Sequence, residues 1–146
     1  MEFTIRKMIA ADKNIVIDMM RGFYKAFTIT SGSEEIFVAD VDACLKNSPY
    51  LDGYVFVVDE KIIGYGMIAK SFATEFGGEC IWIEDIFIDE SFRGQGIGSK
   101  FIQYVKENYP QKILRLETEH DNVNAAMTYR KRGFKELPYL EMVYIK

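Results

Sequence analysis

The chain predicts one α/β domain in which a meander of strands leads into a strand–helix–strand crossover. Three observations carry this reading. Apolar residues recur at helical spacing near the start, two β-rich runs follow with short polar turns, and a glycine-rich turn then joins an apolar run to an amphipathic one. The 146 residues, 49% hydrophobic and 27% charged, suffice for one compact core and hardly for two, so a single domain over 1–146 is expected.

Each element has its own signal. Phe3 and Ile5 alternate with polar neighbours in a short opening strand, and Asp12 can cap a helix whose apolar stripe is Ile15, Val16, Met19, Met20, Phe23, Tyr24 and Phe27. After the polar break Ser31-Gly32-Ser33, a second helix is suggested by Phe37, Val41, Cys44 and Leu45 and ends at Asn47-Ser48-Pro49. Tyr54 to Val58 and Ile62 to Phe72 form a hairpin about Asp59-Glu60-Lys61, and Gly77-Gly78 turns into a strand from Cys80 to Ile88. The glycine-rich turn leads to a helix ending at Asn108, then a strand from Ile113 to Glu117 and a helix from Asn122 to Arg132. Closing strands follow near Phe134 to Leu137 and Leu140 to Ile145.

Composition narrows the function. A net charge of −4 argues against a nucleic-acid surface and favours a cationic or neutral partner. No apolar run approaches a membrane span, and the opening Met1-Glu2-Phe3-Thr4 lacks the features of a signal peptide, so a cytoplasmic protein is expected, with no membrane partner. Cys44 and Cys80 suit that compartment as reduced thiols that pack. With His120 as the single histidine and no paired Cys or His ligands, no metal is expected.

The turn Arg93-Gly94-Gln95-Gly96-Ile97-Gly98 invites an anion, because glycines let backbone approach a ligand and a helix N-terminus presents free N–H groups. A Walker A loop requires Lys directly after its last glycine, but Ser99 precedes Lys100. The dinucleotide fingerprint fits Gly94 and Gly96, with Glu117 near the place of a ribose-binding acid. Its third glycine would stand one residue later, however, and its strand would adjoin the turn directly.

A third pattern, R/Q-x-x-G-x-G/A, fits without repair, and Asn122, Ala125, Tyr129, Gly133 and Phe134 form a second block, N-x-x-A-x-x-x-Y-x-x-x-G-F. In these two motifs, in this order, the chain resembles the GNAT superfamily of acetyl-CoA-dependent N-acetyltransferases. The opening Ile5 to Asp12 resembles the family's first strand and helix start. The resemblance implies the GNAT fold: a mixed, mostly antiparallel sheet splayed at a central parallel strand pair, with helices on both faces. It implies acetyl-CoA as cosubstrate, its pyrophosphate on the amides of Arg93, Gly94, Gln95, Gly96, Ile97, Gly98 and Ser99, and its thioester and pantetheine along Ile86, Phe87 and Ile88. Asn122 and Ala125 fall in the matching helix block, where Asn122 is a pantetheine contact or only a helix cap. Tyr129 becomes the general acid for the leaving thiolate, a role its phenol suits because it stays protonated at neutral pH.

Glu84 and Asp85 interrupt the apolar run Ile81 to Ile88, and buried charge needs a partner or a purpose. The resemblance makes an acid here an attractor of the amine or a relay for its proton, with Glu84 first and Asp85 second, because alternation sends them to opposite faces. Tyr24 and Glu34 fall where the family builds its acceptor pocket, although the helix stripe already accounts for Tyr24. The run Trp82 to Phe87 followed by Arg93 to Ser99 looks most like the branch that acetylates polyamines and diamines. The expected reaction is direct acetyl transfer to a small primary amine in a homodimeric enzyme. The competing readings are an acetyltransferase for protein N-termini or lysines, an antibiotic acetyltransferase, and a non-catalytic acyl-CoA-binding regulatory module.

Overall fold

The computed structural model describes residues 2–26 and 33–146, so Phe27 and the break at Ser31-Gly32 lie outside the described residues. Its strands β1 (Phe3–Lys7), β2 (Leu51–Val58), β3 (Lys61–Ala73), β4 (Gly78–Ile88) and β5 (Ile113–Leu116) lie side by side in sequence order. Neighbours from β1 to β4 are antiparallel, and β5 runs parallel to β4. Tight turns give the first arrangement and a crossover helix the second, so the mixed sheet is the one the sequence predicts.

Helices α1 (Lys13–Ala26) and α2 (Glu34–Leu45) pack on one face of this sheet, against Val55, Tyr65 and Met67. On the other face lies α3 (Ile97–Asn108), with Tyr129 of α4 (Val123–Lys131) joining the same cluster, against Phe56, Ile81 and Ile83. The β2–β3 hairpin turns on Asp59 and Glu60, both left-handed at φ 47° and 69°, the backbone a two-residue turn needs to match strand twist. Asp12 sits in a 3₁₀ turn ahead of α1. Its buried carboxylate receives Arg6 at 2.8 and 3.0 Å and the Ile9 N–H at 2.9 Å, which ties β1 to the start of the helix.

Two sequence expectations need correction. The α1 stripe buries Val16, Ile17 and Met20 but leaves Ile15 46% exposed. At ~100° per residue Ile17 stands about 60° from Met20 around the helix and Ile15 about 140°, so one flanks the buried face and the other points away. The second correction concerns the closing strands. No strand forms between Phe134 and Lys146 among the described residues, although the pattern there is β-rich. Alternation supplies a strand's side chains, but a strand also needs backbone pairing, and the segment bonds no strand among the described residues.

Gly66 fixes how closely α3 lies on the sheet. A Cβ at this position would stand 2.5 Å from the Phe101 ring, and Phe101 is fully buried. Gly66→Ala should therefore overpack the core and lower stability by about 1–3 kcal/mol in urea unfolding with an unchanged m-value. A neutral effect would show that α3 can shift without cost.

Candidate active site

The site begins with a defect in β4. The β3–β4 register pairs Met67 with Asp85 and Ile68 with Ile83, leaving Glu84 as the extra residue of a bulge. A bulge bends its strand and adds twist, which turns the end of β4 away from its other neighbour. The parallel ladder accordingly stops at Ile83 and Leu116, while β4 continues to Ile88. Asp89 donates its N–H to the Ile63 carbonyl at 2.8 Å. Because N–H groups alternate along a strand, those of Ile86 and Ile88 point away from β3, to the side where β5 has ended, and the stretch of β4 beyond Ile83 is called the wedge below.

The bulge also resets which face each side chain takes. Ile81 and Ile83 before it and Ile86 and Ile88 after it join the same α3-side cluster. Simple alternation therefore does not part Glu84 from Asp85, contrary to the sequence expectation. The charges of both raise the pKa of Tyr24, behind burial as the leading cause, and Asp40 of α2 acts on both. Glu84 is exposed, whereas Asp85 is 6% exposed.

Asp85 is the buried acid of the site. Its carboxylate accepts the Tyr65 hydroxyl at 2.9 Å and the Tyr24 hydroxyl at 3.2 and 3.3 Å. Burial pushes its pKa up to about 6, the two phenols pull it back, and the Asp40 charge pushes the same way as burial. Phe87 stacks on Tyr65 with centroids 6.0 Å apart and meets the Phe23 ring edge-on at 6.3 Å, so aromatic rings wall the acid. The sequence singled out Tyr24 and Asp85 but missed Tyr65. A buried phenol needs a hydrogen-bond partner and a buried carboxylate needs donors, and that mutual need was the available signal.

The glycine turn follows directly. Asp89 accepts the Ser91 N–H at 3.0 Å, and Arg93 donates from Nε to the Ile88 carbonyl at 2.9 Å, with its guanidinium 5.9 Å from the Phe87 ring centroid. Gly94 and Gly96 are left-handed at φ 76° and 78°, a conformation that penalises side chains. Gly96 is the N-cap of α3 and has no side chain to cap it, so the N–H groups of the first helical turn, Ile97, Gly98 and Ser99, stay available. Gly98 is within the helix, and a Cβ there would make ordinary contact with Ile88 at 3.7 Å. Gln95 is exposed between the left-handed glycines.

Tyr129 stands half-buried on α4 with its ring 6.0 Å from that of Phe134, and its hydroxyl makes no hydrogen bond among the described residues. Burial raises its pKa, which keeps it protonated. Asn122 is engaged as the α4 cap, accepting the Ala125 N–H at 3.2 Å. Gly133 closes α4 at φ 94°. Glu34 is not brought to Asp85. It bonds Arg21 through Oε2 at 3.1 Å in an exposed pair. Glu117, just past β5, has a pKa raised to about 7, by burial first and then by the Glu141 carboxylate and the Glu84 charge. Glu84, Asp85 and Glu117 thus gather carboxyl groups beyond the end of the parallel ladder, each with its pKa raised.

With a parallel pair in which β4 outruns β5 and a glycine-capped helix, the chain belongs to the acetyltransferase (GNAT) family, whose model matches residues 17–134. It is 37% identical over 83 residues to a thialysine N-epsilon-acetyltransferase of Bos taurus, a stretch covering 55% of this chain and 48% of that protein. It is also 34% identical over 59 residues to a spermine/spermidine N(1)-acetyltransferase of Bacillus subtilis (strain 168), covering 38% of this chain and 39% of the relative. The chain therefore spans about half the length or less of these relatives. An aminoglycoside N-acetyltransferase solved in complex with CoA superposes with a TM-score of 0.77 over 99% of this chain and 95% of its own, at 20% identity, a likeness of fold. No helix among the described residues is long and apolar enough to cross a membrane.

Proposed function

We propose that this chain transfers acetyl from acetyl-CoA to the primary amine of a small cationic acceptor of the polyamine or diamine kind. The observation that carries the reading is the wedge: β4 outruns β5 and offers the Ile86 and Ile88 N–H groups immediately before a helix N-terminus shaped by Gly94 and Gly96. In this reading the pyrophosphate rests on the amides of the turn from Gly94 to Ser99, and the thioester lies along Ile86 to Ile88. The amine nitrogen attacks the carbonyl carbon, the Ile86 N–H steadies the developing oxyanion, and the carbon–sulfur bond breaks. Tyr129 gives its proton to the thiolate, while the proton of the amine leaves through water toward Asp85 or Glu84. The name of the first relative specifies thialysine and that of the second spermine and spermidine. All three named acceptors are cationic amines, and the acids around the wedge would attract such a molecule.

The deciding measurement is release of free CoA from acetyl-CoA against a panel of diamines, polyamines, lysine analogues, aminoglycosides and peptides. Turnover confined to peptides or aminoglycosides would overturn the acceptor class, and no turnover with any amine would leave a binding module. The cofactor half is separable. CoA and acetyl-CoA should raise the melting temperature well above what NAD or ATP achieves, and Gly96→Val, whose β-branched side chain resists φ 78°, should weaken CoA binding at least tenfold in a folded protein. A normal CoA response in that variant would remove the glycine turn from the site.

A further inference from the structure

Arg115 on β5 carries a cation that no carboxylate bonds among the described residues. Its guanidinium carbon lies 4.5 Å from the Trp82 ring centroid and 5.9 Å from that of Phe76, and Arg115 forms neither an ion pair nor a hydrogen bond there. A contact with aromatic rings holds the charge in place but uses none of its N–H donors. Its Nε is buried and unbonded, and a buried donor left so is costly and calls for a partner.

The sheet sets this cation beside the acids of the wedge. Leu114 and Leu116 join Ile81 and Ile83 in the α3-side cluster, so Arg115 between them takes the opposite face, as its contact with Trp82 requires. Asp85 is on that same face, bonded to Tyr65 of the cluster packed by α1 and α2. Trp82 is the register partner of Arg115 on β5 and of Ala69 on β3, while Asp85 pairs with Met67, two residues along β3 from Ala69. The Cα atoms of Arg115 and Asp85 therefore stand ~7 Å apart along the strands and ~5 Å across them, a gap that a lysine-length chain bridges.

We propose that Arg115 binds a carboxylate of the acceptor, so that the amine acetylated at the wedge belongs to a diamino acid of about lysine's length and not to a plain diamine. The proposal rests on the acetyl-transfer reading and narrows its acceptor class. A guanidinium presents paired donors that match the two oxygens of a carboxylate. The two signs divide the work: Glu84 and Asp85 draw in the ammonium that loses its proton, and Arg115 fixes the far end of the chain. Glu117, on which the Arg115 charge acts, is the acid for the second ammonium beside that carboxylate. With two ammonium groups against one carboxylate, such an acceptor keeps a net positive charge, so the acids still attract it.

The test is calorimetric binding of acceptors to the CoA-loaded protein, paired with release of CoA from acetyl-CoA. The probes are L-lysine, L-lysinamide, whose carboxylate is masked, and cadaverine, which lacks it. L-lysine should bind at least tenfold more tightly than either of the others and exceed them as much in kcat/KM. Arg115→Gln should bring these ratios close to one in a protein that CoA still stabilises, and Arg115→Lys, which keeps the charge and loses the paired donors, should restore only part of the preference. Equal binding of the three probes to the wild type, or binding of none, overturns the proposal. A preference that survives Arg115→Gln overturns it equally, including one in which all three probes weaken in proportion, because Arg115 would then serve the structure. Selective binding of L-lysine without CoA release would overturn the acetyl transfer and still support Arg115 as the carboxylate anchor.

Discussion

Tyr129→Phe should lower kcat by 10²–10⁴, the usual loss when a general acid is removed, and leave the affinity for acetyl-CoA unchanged. The substitution removes one oxygen. The ring keeps its edge contact with Phe134, and no hydrogen bond is broken among the described residues, so the melting temperature should hardly move. Burial holds the phenol protonated above its ordinary range, while a thiol has a pKa of roughly 8.5 if cysteine is a fair model. The proton therefore passes to the thiolate only when the carbon–sulfur bond breaks, and the acid itself should cause no loss of rate below about pH 10. Steady-state kinetics with a saturating amine, paired with calorimetric titration of CoA, measures both halves. Unchanged turnover in the variant would leave Tyr129 as a packing residue and water as the proton donor.

The parts of the site legible in the sequence are those whose chemistry is local. Gly94 and Gly96 announce themselves because a left-handed backbone selects glycine, and the α3 stripe of Ile97, Phe101, Ile102 and Val105 is buried as its spacing predicts. The order of strands and helices follows from turn residues that act over a few positions. Missed features depend on distant pairing. The bulge at Glu84 exists only relative to Met67 and Ile68 on another strand, and it decides where the acids point. Tyr65 becomes a site residue because the β3–β4 pairing sets it near Asp85, twenty residues away in sequence. Asn122 belongs to both kinds: its capping role was readable, whereas nothing local says whether it also meets a ligand. The closing strands differ for a related reason, since Leu140 to Ile145 have the composition of a strand but pair with no strand of the described chain.

Asp85→Asn should raise KM for diamines and lower kcat, together reducing kcat/KM by about 10²-fold, more than Glu84→Gln does. The ranking follows from environment. Glu84 is the exposed residue of a bulge, whereas Asp85 is buried and oriented by two phenols, and a fixed charge away from water acts more strongly on a bound cation. The pH dependence carries the sharper test. A carboxyl whose pKa has risen to about 6 is anionic only above that value, so amine turnover that uses the anion should be complete above about pH 7 and fall as pH drops through 6. Tyr65→Phe removes a hydrogen bond that favours the anion, so it should move this acidic limb to higher pH while the carboxylate itself remains. Asp85→Asn should abolish the limb. A limb near pH 6 that is identical in wild type, Tyr65→Phe and Asp85→Asn would assign Asp85 to structure and return the role to Glu84, whose own removal would then have to change it.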